Sequence, residues 1–238
     1  MSTSSDAWPT VPTHDGAAMP VFIARPATGT GPGLVLLQEI FGITEYLQSR
    51  ARDLANLGYL VLVPELYWRI GPHITTDETT EAGLHDAFGY AQRLDVAAAI
   101  DDSIAALEAL KAMPDTGGRA GVVGFCLGGR LAYEVGARSD PDVLVSYYGS
   151  GIADRLDAAP QINCPVIFHF GGADQFLTVD QSDRIAATFA NRDTAEVHVQ
   201  PAAGHAFDNF RAPIFYHAEA AATAWPITTA FLARHFPA

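Results

Sequence analysis

Gly121-Val122-Val123-Gly124-Phe125-Cys126-Leu127-Gly128-Gly129-Arg130 is the stretch on which the fold of this chain is decided. A short apolar run rich in β-branched residues leads into Gly124-Phe125-Cys126-Leu127-Gly128. A helix-compatible segment follows, from Gly129 to about Ala137. Strand, tight turn and helix in this order, with glycines two positions either side of a central residue, match the nucleophile elbow G-x-S-x-G, with cysteine in the serine's place. A Cβ on either flanking residue of such a turn would collide with the neighbouring strand or helix. The turn lifts the sulfur off the sheet edge and points it at the start of the next helix. Negative charge is favoured there, so a thiolate forms more easily. The plain alternative is a small buried cysteine in a Gly-rich turn. The spacing favours a nucleophile.

The 238 residues suit one α/β domain, expected over 11–238, behind a loose Ser/Thr-rich tail from Met1 to Thr10. Apolar residues make up 49% and charged residues 17%, which is the composition of a globular chain. A net charge of −13 argues against nucleic acid or an anionic membrane as the main partner. An anionic small molecule would have to be held by a few local arginines. Cys126 and Cys164 form no disulfide framework, and a working thiol is at home in a reducing cytoplasm. The chain shows neither an unbroken membrane-length apolar run nor a signal-peptide layout. A soluble cytoplasmic protein is expected, monomeric, with a homodimer as the alternative.

Around the elbow the chain alternates between strand-like and helical stretches. Met19 to Ala24, Gly33 to Glu39, Tyr59 to Val63, Val143 to Tyr148, Pro165 to Phe170 and Ala195 to Gln200 read as strands. Glu45 to Leu57 and Thr178 to Asn191 read as helices, and Asp86 to Ala112 as two. Pro213 to His235 reads as a helix interrupted near Pro226, and Pro64 to Leu84 as a long, irregular, functional loop. Such alternation gives an open, mostly parallel central sheet with helices on both faces.

Chemistry in such sheets sits at the carboxyl ends of the strands. Gly171-Gly172-Ala173-Asp174 follows one strand, and Gly204-His205-Ala206-Phe207 follows the last. Nucleophile, acid, histidine is the order of the α/β-hydrolase triad. His205 would take the thiol proton, and Asp174 would fix the imidazole tautomer. The backbone amides of Ile40 and Leu127 are the candidate oxyanion hole, one from the loop after an early strand and one following the nucleophile. Glu39 ends an apolar run close to that loop, and is either a solvated strand end or an acid beside the thiol. No metal-ligand spacing appears, and no cofactor is expected.

Taken together, Gln38-Glu39-Ile40-Phe41-Gly42, Pro64-Glu65-Leu66-Tyr67, Gly124-Phe125-Cys126-Leu127-Gly128-Gly129, Gly171-Gly172-Ala173-Asp174 and Gly204-His205-Ala206-Phe207 resemble the dienelactone hydrolase (carboxymethylenebutenolidase) family. The resemblance runs over nearly the whole chain after Pro20. It implies an α/β-hydrolase fold and a Cys126–His205–Asp174 triad. It also implies that Glu39 pairs with the resting thiol and takes its proton when substrate enters. In the family, arginines hold a substrate carboxylate. Arg69, after Leu66-Tyr67-Trp68, matches the first. The second lies four residues after the histidine, where this chain has Asn209, and Arg211 is the candidate replacement. Tyr67 and Trp68 are candidates to pack on the substrate, and Ala206 stands where the family commonly has serine.

The nucleophile narrows the substrate on separate grounds. A thiol, with a pKa of about 8.5, leaves a tetrahedral intermediate more readily than an ordinary alcohol does. A cysteine hydrolase therefore does best on an enol lactone or another activated ester, passing through an acyl thioester. A broader carboxylesterase or thioesterase with the same triad and a non-catalytic hydrolase-fold binding protein are the alternatives. A redox thiol protein lacks a resolving cysteine near Cys126 in sequence.

Overall fold

Eight strands form one sheet in the computed structural model, which describes residues 8–238. The strands are β1 (Thr10–Pro12), β2 (Ala18–Ala24), β3 (Gly33–Leu37), β4 (Leu60–Pro64), β5 (Ala120–Phe125), β6 (Leu144–Tyr147), β7 (Val166–Gly171) and β8 (Ala195–Gln200). Their order is β1-β2-β4-β3-β5-β6-β7-β8. β1 and β2 pair antiparallel, as do β2 and β4, and the remaining neighbours are parallel. Strand order reverses at β3, which lies between β4 and β5. A sheet opens a crevice at the carboxyl ends of the strands flanking such a reversal.

The central strands are apolar at nearly every position because both faces are covered. Val35 and Leu37 of β3 face one core with Val122 of β5, while Leu34 and Leu36 face the other with Val123 and Phe125. Helices α3 (Val96–Ala112), α4 (Leu127–Arg138) and α5 (Val179–Phe189) cover the first face. Helices α1 (Glu45–Asn56) and α6 (Ala218–His235) cover the second. A further helix, α2 (Glu81–Arg93), starts at Thr80, whose side chain accepts from the Gly83 amide.

Three expectations are corrected. The first concerns the tail over 1–10. Its first seven residues lie outside the described ones, but Trp8 packs 6.1 Å from Phe22 and 4.9 Å from His73, and Thr10 already pairs with Pro20. Next, α6 is not interrupted at Pro226. Pro226 and Ala222, whose carbonyl loses its usual donor, lie on the exposed side, where solvent can replace the bond. Last, the irregular segment ends at Thr80 rather than Leu84, because α2 begins at Glu81, ahead of the expected Asp86. It lines a cavity of about 430 Å³ with Trp8, Glu65, His73 and Glu78.

Candidate active site

The elbow closes as its glycines require. Leu37 pairs with Gly124 across β3 and β5, and the Gly128 amide donates to the Gln38 carbonyl at 2.9 Å. A Cβ at Gly124 would lie 1.9 Å from the Gly128 carbonyl oxygen, and one at Gly128 would lie 2.2 Å from that of Leu37. Helix α4 starts directly at Leu127, two residues earlier than the sequence suggested, so Cys126 is its N-cap. Cys126 has φ 54° and ψ −116°, a strained backbone for a residue with a Cβ.

His205 Nε2 lies 3.1 Å from Cys126 Sγ, and His205 Nδ1 lies 2.8 Å from Asp174 Oδ2. Asp174 has two duties. Its Oδ1 accepts from the amides of Phe176 and Leu177, which holds the turn, while Oδ2 faces the imidazole. Burial disfavours the imidazolium, but the interactions with Cys126 and Asp174 outweigh it and raise the His205 pKa to about 10. The adjacent Ala206 also has positive φ, at 50°, so the chain turns sharply straight after the histidine.

Cys126, Leu127, Arg130, Glu39, Ile40, Ser150, His205 and Ala206 line one cavity of about 160 Å³. Its remaining wall is apolar, from Phe41, Leu84, Phe88, Ala91, Phe176 and Phe215. Among the described residues, neither the Ile40 nor the Leu127 amide is committed to another backbone carbonyl outside helices and strands. Both amides are therefore free to receive an oxyanion beside Cys126, were one to form there.

Glu39 is buried in this cavity, but its carboxylate meets Asn209 and Tyr148 rather than the thiol. Asn209 Nδ2 donates to Oε2 at 2.6 Å and the Tyr148 hydroxyl donates to Oε1 at 3.1 Å. Burial pushes the Glu39 pKa up to about 8, against the lowering effect of Asn209. The thiol–Glu39 pair implied by the family resemblance is not the one seen, since the sulfur sits on His205.

The five candidate substrate contacts go elsewhere. Arg69 is corrected most clearly. Its Nε and Nη2 fork onto Asp102 at 2.9 and 2.7 Å, its Nη1 reaches Asp15 at 2.8 Å, and it lines a different surface depression. Trp68 stacks under that guanidinium and donates its Nε1 to Asp102 at 2.8 Å. Arg211 pairs with Glu45 at 3.0 Å beside the 430 Å³ cavity. Asn209 is fully buried and bridges Glu39 to Glu78, 3.2 Å away. Tyr67 is buried too, and its hydroxyl donates to the Ile40 carbonyl at 2.8 Å. It therefore fixes the peptide of the candidate oxyanion loop rather than presenting a face to substrate.

Three contributors escaped the sequence reading. Arg130 was visible as the last residue of the elbow stretch, in the first turn of the helix that follows Cys126. Tyr148 directly follows β6, a strand-end position like those of the other site residues. Glu78 carries no local signal. Among the described residues, no group of three or more His, Cys, Asp or Glu could hold a metal ion, and no helix is long and apolar enough to cross a membrane.

Sheet order, crevice and elbow define the class: this is an α/β-hydrolase fold. The model of the dienelactone hydrolase family matches residues 19–236, and the chain belongs to that family. It is 32% identical over 205 residues to carboxymethylenebutenolidase 1 of Cupriavidus pinatubonensis, covering 86% of this chain and 87% of the relative. It is 33% identical over 197 residues to the carboxymethylenebutenolidase of Pseudomonas putida, covering 83% and 84%. Among solved structures, a dienelactone hydrolase-like promiscuous phosphotriesterase from metagenomic libraries superposes with a TM-score of 0.79 at 25% identity, over 95% of this chain and 97% of that one. The chain is accordingly a hydrolase of lactone or ester bonds.

Proposed function

We propose that the chain opens a dienelactone-like, carboxylate-bearing enol lactone without a cofactor, using Cys126 as nucleophile, His205 as base and acid, and Asp174 to orient the imidazole. The observation that carries this is the continuous relay from Asp174 Oδ2 through His205 to Cys126 Sγ, with separations of 2.8 and 3.1 Å, opening into the 160 Å³ cavity. The names of the curated relatives support the lactone.

The thiolate attacks the lactone carbonyl, forming a C–S bond and an oxyanion held by the Ile40 and Leu127 amides. Collapse breaks the ring C–O bond, and the imidazolium of His205 gives its proton to the departing enolate. An acyl thioester remains. His205, now neutral, takes a proton from water as its oxygen attacks the thioester carbonyl, and the second collapse returns the thiolate–imidazolium pair. Glu39, largely protonated near neutral pH, adds no second negative charge beside the thiolate. A reducing compartment suits such a thiol, which supports a cytoplasmic placement.

The test compares wild type with Cys126→Ala on dienelactone and follows acyl-enzyme formation by intact-protein mass spectrometry. We expect kcat/KM to fall by more than about a thousandfold, with no acyl adduct. Full activity in the variant would rule the mechanism out. The mostly apolar cavity wall favours a second reading, a broader carboxylesterase working on neutral esters through the same three residues.

A further inference from the structure

Arg69 and Arg211 are committed to carboxylates outside the cavity, so neither supplies a positive anchor for an anionic substrate. The cavity nonetheless has one guanidinium among its lining residues, that of Arg130. Arg130 lies in the first turn of α4, and its amide donates to the Cys126 carbonyl at 3.2 Å, so its side chain starts one turn beyond the nucleophile. Its Nε is buried and has no hydrogen-bond partner among the described residues. The nearest acid on its own helix face, Glu134, is already taken by Arg138 at 3.4 Å and Arg155 at 3.2 Å.

The turn after β6 leaves room for this side chain. A Cβ placed on Gly151, whose φ is +88°, would lie 3.4–3.6 Å from Arg130 Cδ, Nε and Cζ. The guanidinium stem therefore runs against the Gly149-Ser150-Gly151 turn, and Ser150 lines the cavity beside it. Leu84, Phe88, Phe176 and Phe215 line the same cavity. A guanidinium beside a nucleophile, with its buried Nε lacking a partner among the described residues, is suited to an anionic group.

Resting on the hydrolase reading above, we infer that Arg130 is the specificity-determining residue that binds the substrate's carboxylate. Its guanidinium fork takes the two carboxylate oxygens, Ser150 adds a hydroxyl, and the lactone ring lies between the aromatic walls with its carbonyl over Cys126. A carboxylate accepting from a planar guanidinium makes two parallel charge-assisted bonds, which lysine cannot reproduce. The class of substrate is a small lactone acid whose carboxylate lies on the α4 side of the scissile carbonyl.

The experiment measures kcat/KM of wild type, Arg130→Gln and Arg130→Lys on dienelactone and on its neutral methyl ester. Thermal melts confirm that the variants are folded. We expect Arg130→Gln to lower kcat/KM at least about tenfold more for the acid than for the methyl ester, mainly through KM, and Arg130→Lys to recover only part of the loss. Equal losses on acid and ester, or no loss on the acid, would overturn the assignment while leaving hydrolysis intact. Calorimetric titration with maleate, a small dicarboxylate, separates the two readings further. If wild type turns over neither substrate but binds maleate, and Arg130→Gln does not, the anchor stands and the hydrolase mechanism fails. Maleate binding that is equal in both proteins, or absent from both, counts against the anchor.

Discussion

Asn209 Nδ2 lies 2.6 Å from Glu39 Oε2, joining the loop behind His205 to the end of β3. The same amide group reaches Glu78 at 3.2 Å, and Thr44 holds that second carboxylate at 2.9 Å. Two buried acids thus share one neutral donor. The position that a family arginine would occupy for substrate is spent here on aiming Glu39. Removing the amide leaves two buried carboxyl groups facing each other with a donor missing. Asn209→Ala is therefore expected to destabilise the fold by about 1–3 kcal/mol. It should also lower kcat by about tenfold with KM little changed, because Glu39 loses its fixed orientation. Chemical denaturation and steady-state kinetics check both, and a change confined to KM would place Asn209 on the substrate after all.

Asp174 holds its turn through one carboxylate oxygen and meets His205 through the other. Asn at this position keeps an oxygen to accept from the Phe176 and Leu177 amides, but offers the imidazole a weaker or misoriented partner. Asp174→Asn should keep a near-native melting temperature and lower kcat by roughly 10²–10⁴-fold. Asp174→Ala should lose activity and, with the turn donors unpaired, about 1–3 kcal/mol of stability as well. Equal stability in the two variants would show that the turn bonds contribute nothing.

The fold and the meeting of Cys126, His205 and Asp174 were legible because each depends on local punctuation. Cys126, Asp174 and His205 each follow a short apolar run and sit in a glycine-containing turn, so strand ends and chain order were enough to bring them together. Glu39 was legible only as an acid ending such a run. What failed were pairings made across long separations by side chains. Arg69 follows Tyr67-Trp68 as the family resemblance asks, yet its partners Asp15 and Asp102 come from the β1–β2 link and α3, 54 and 33 residues away. Asn209 meets Glu39 across 170 residues. No periodicity records such contacts. Pro226 misled for a different reason. Its cost depends on which face of the helix it occupies, and on an exposed face the broken bond is open to water.

Arg50 and Asp208 tie the histidine loop to α1. Arg50 Nε and Nη2 donate to Asp208 at 2.7 and 2.8 Å, and Tyr46 adds a third bond at 2.6 Å. The Asp208 side chain is fully buried, so deleting its partner strands a charge. Arg50→Ala should cost about 3–5 kcal/mol, whereas Arg50→Met combined with Asp208→Leu should cost clearly less than the single change. Denaturant melts of the three proteins test this, and a neutral single variant would contradict it.

Glu39 gives the fold a pH dependence of defined sign. Its ordinary pKa is 4.5, and burial raises it to about 8 in the folded protein. The folded state therefore holds a proton that the unfolded chain releases between these values. Stability from this group is fully present below about pH 4.5 and is lost as pH rises towards 8. Its contribution to the slope is at most ~1.4 kcal/mol per pH unit. Burial also raises Glu65, Glu78 and Asp208, so the whole protein's slope mixes several groups. Glu39→Gln removes only one of them while keeping the side chain's shape. The substituted amide still has an oxygen to accept from the Tyr148 hydroxyl, so packing differences should shift the variant's whole curve evenly rather than change its slope. Denaturant unfolding at pH 5, 6, 7 and 8 should show wild type losing stability faster than the variant across this window. Parallel curves from pH 5 to 8 would mean that Glu39 is ionised in the folded protein throughout, and that Asn209 and Tyr148 offset its burial in full.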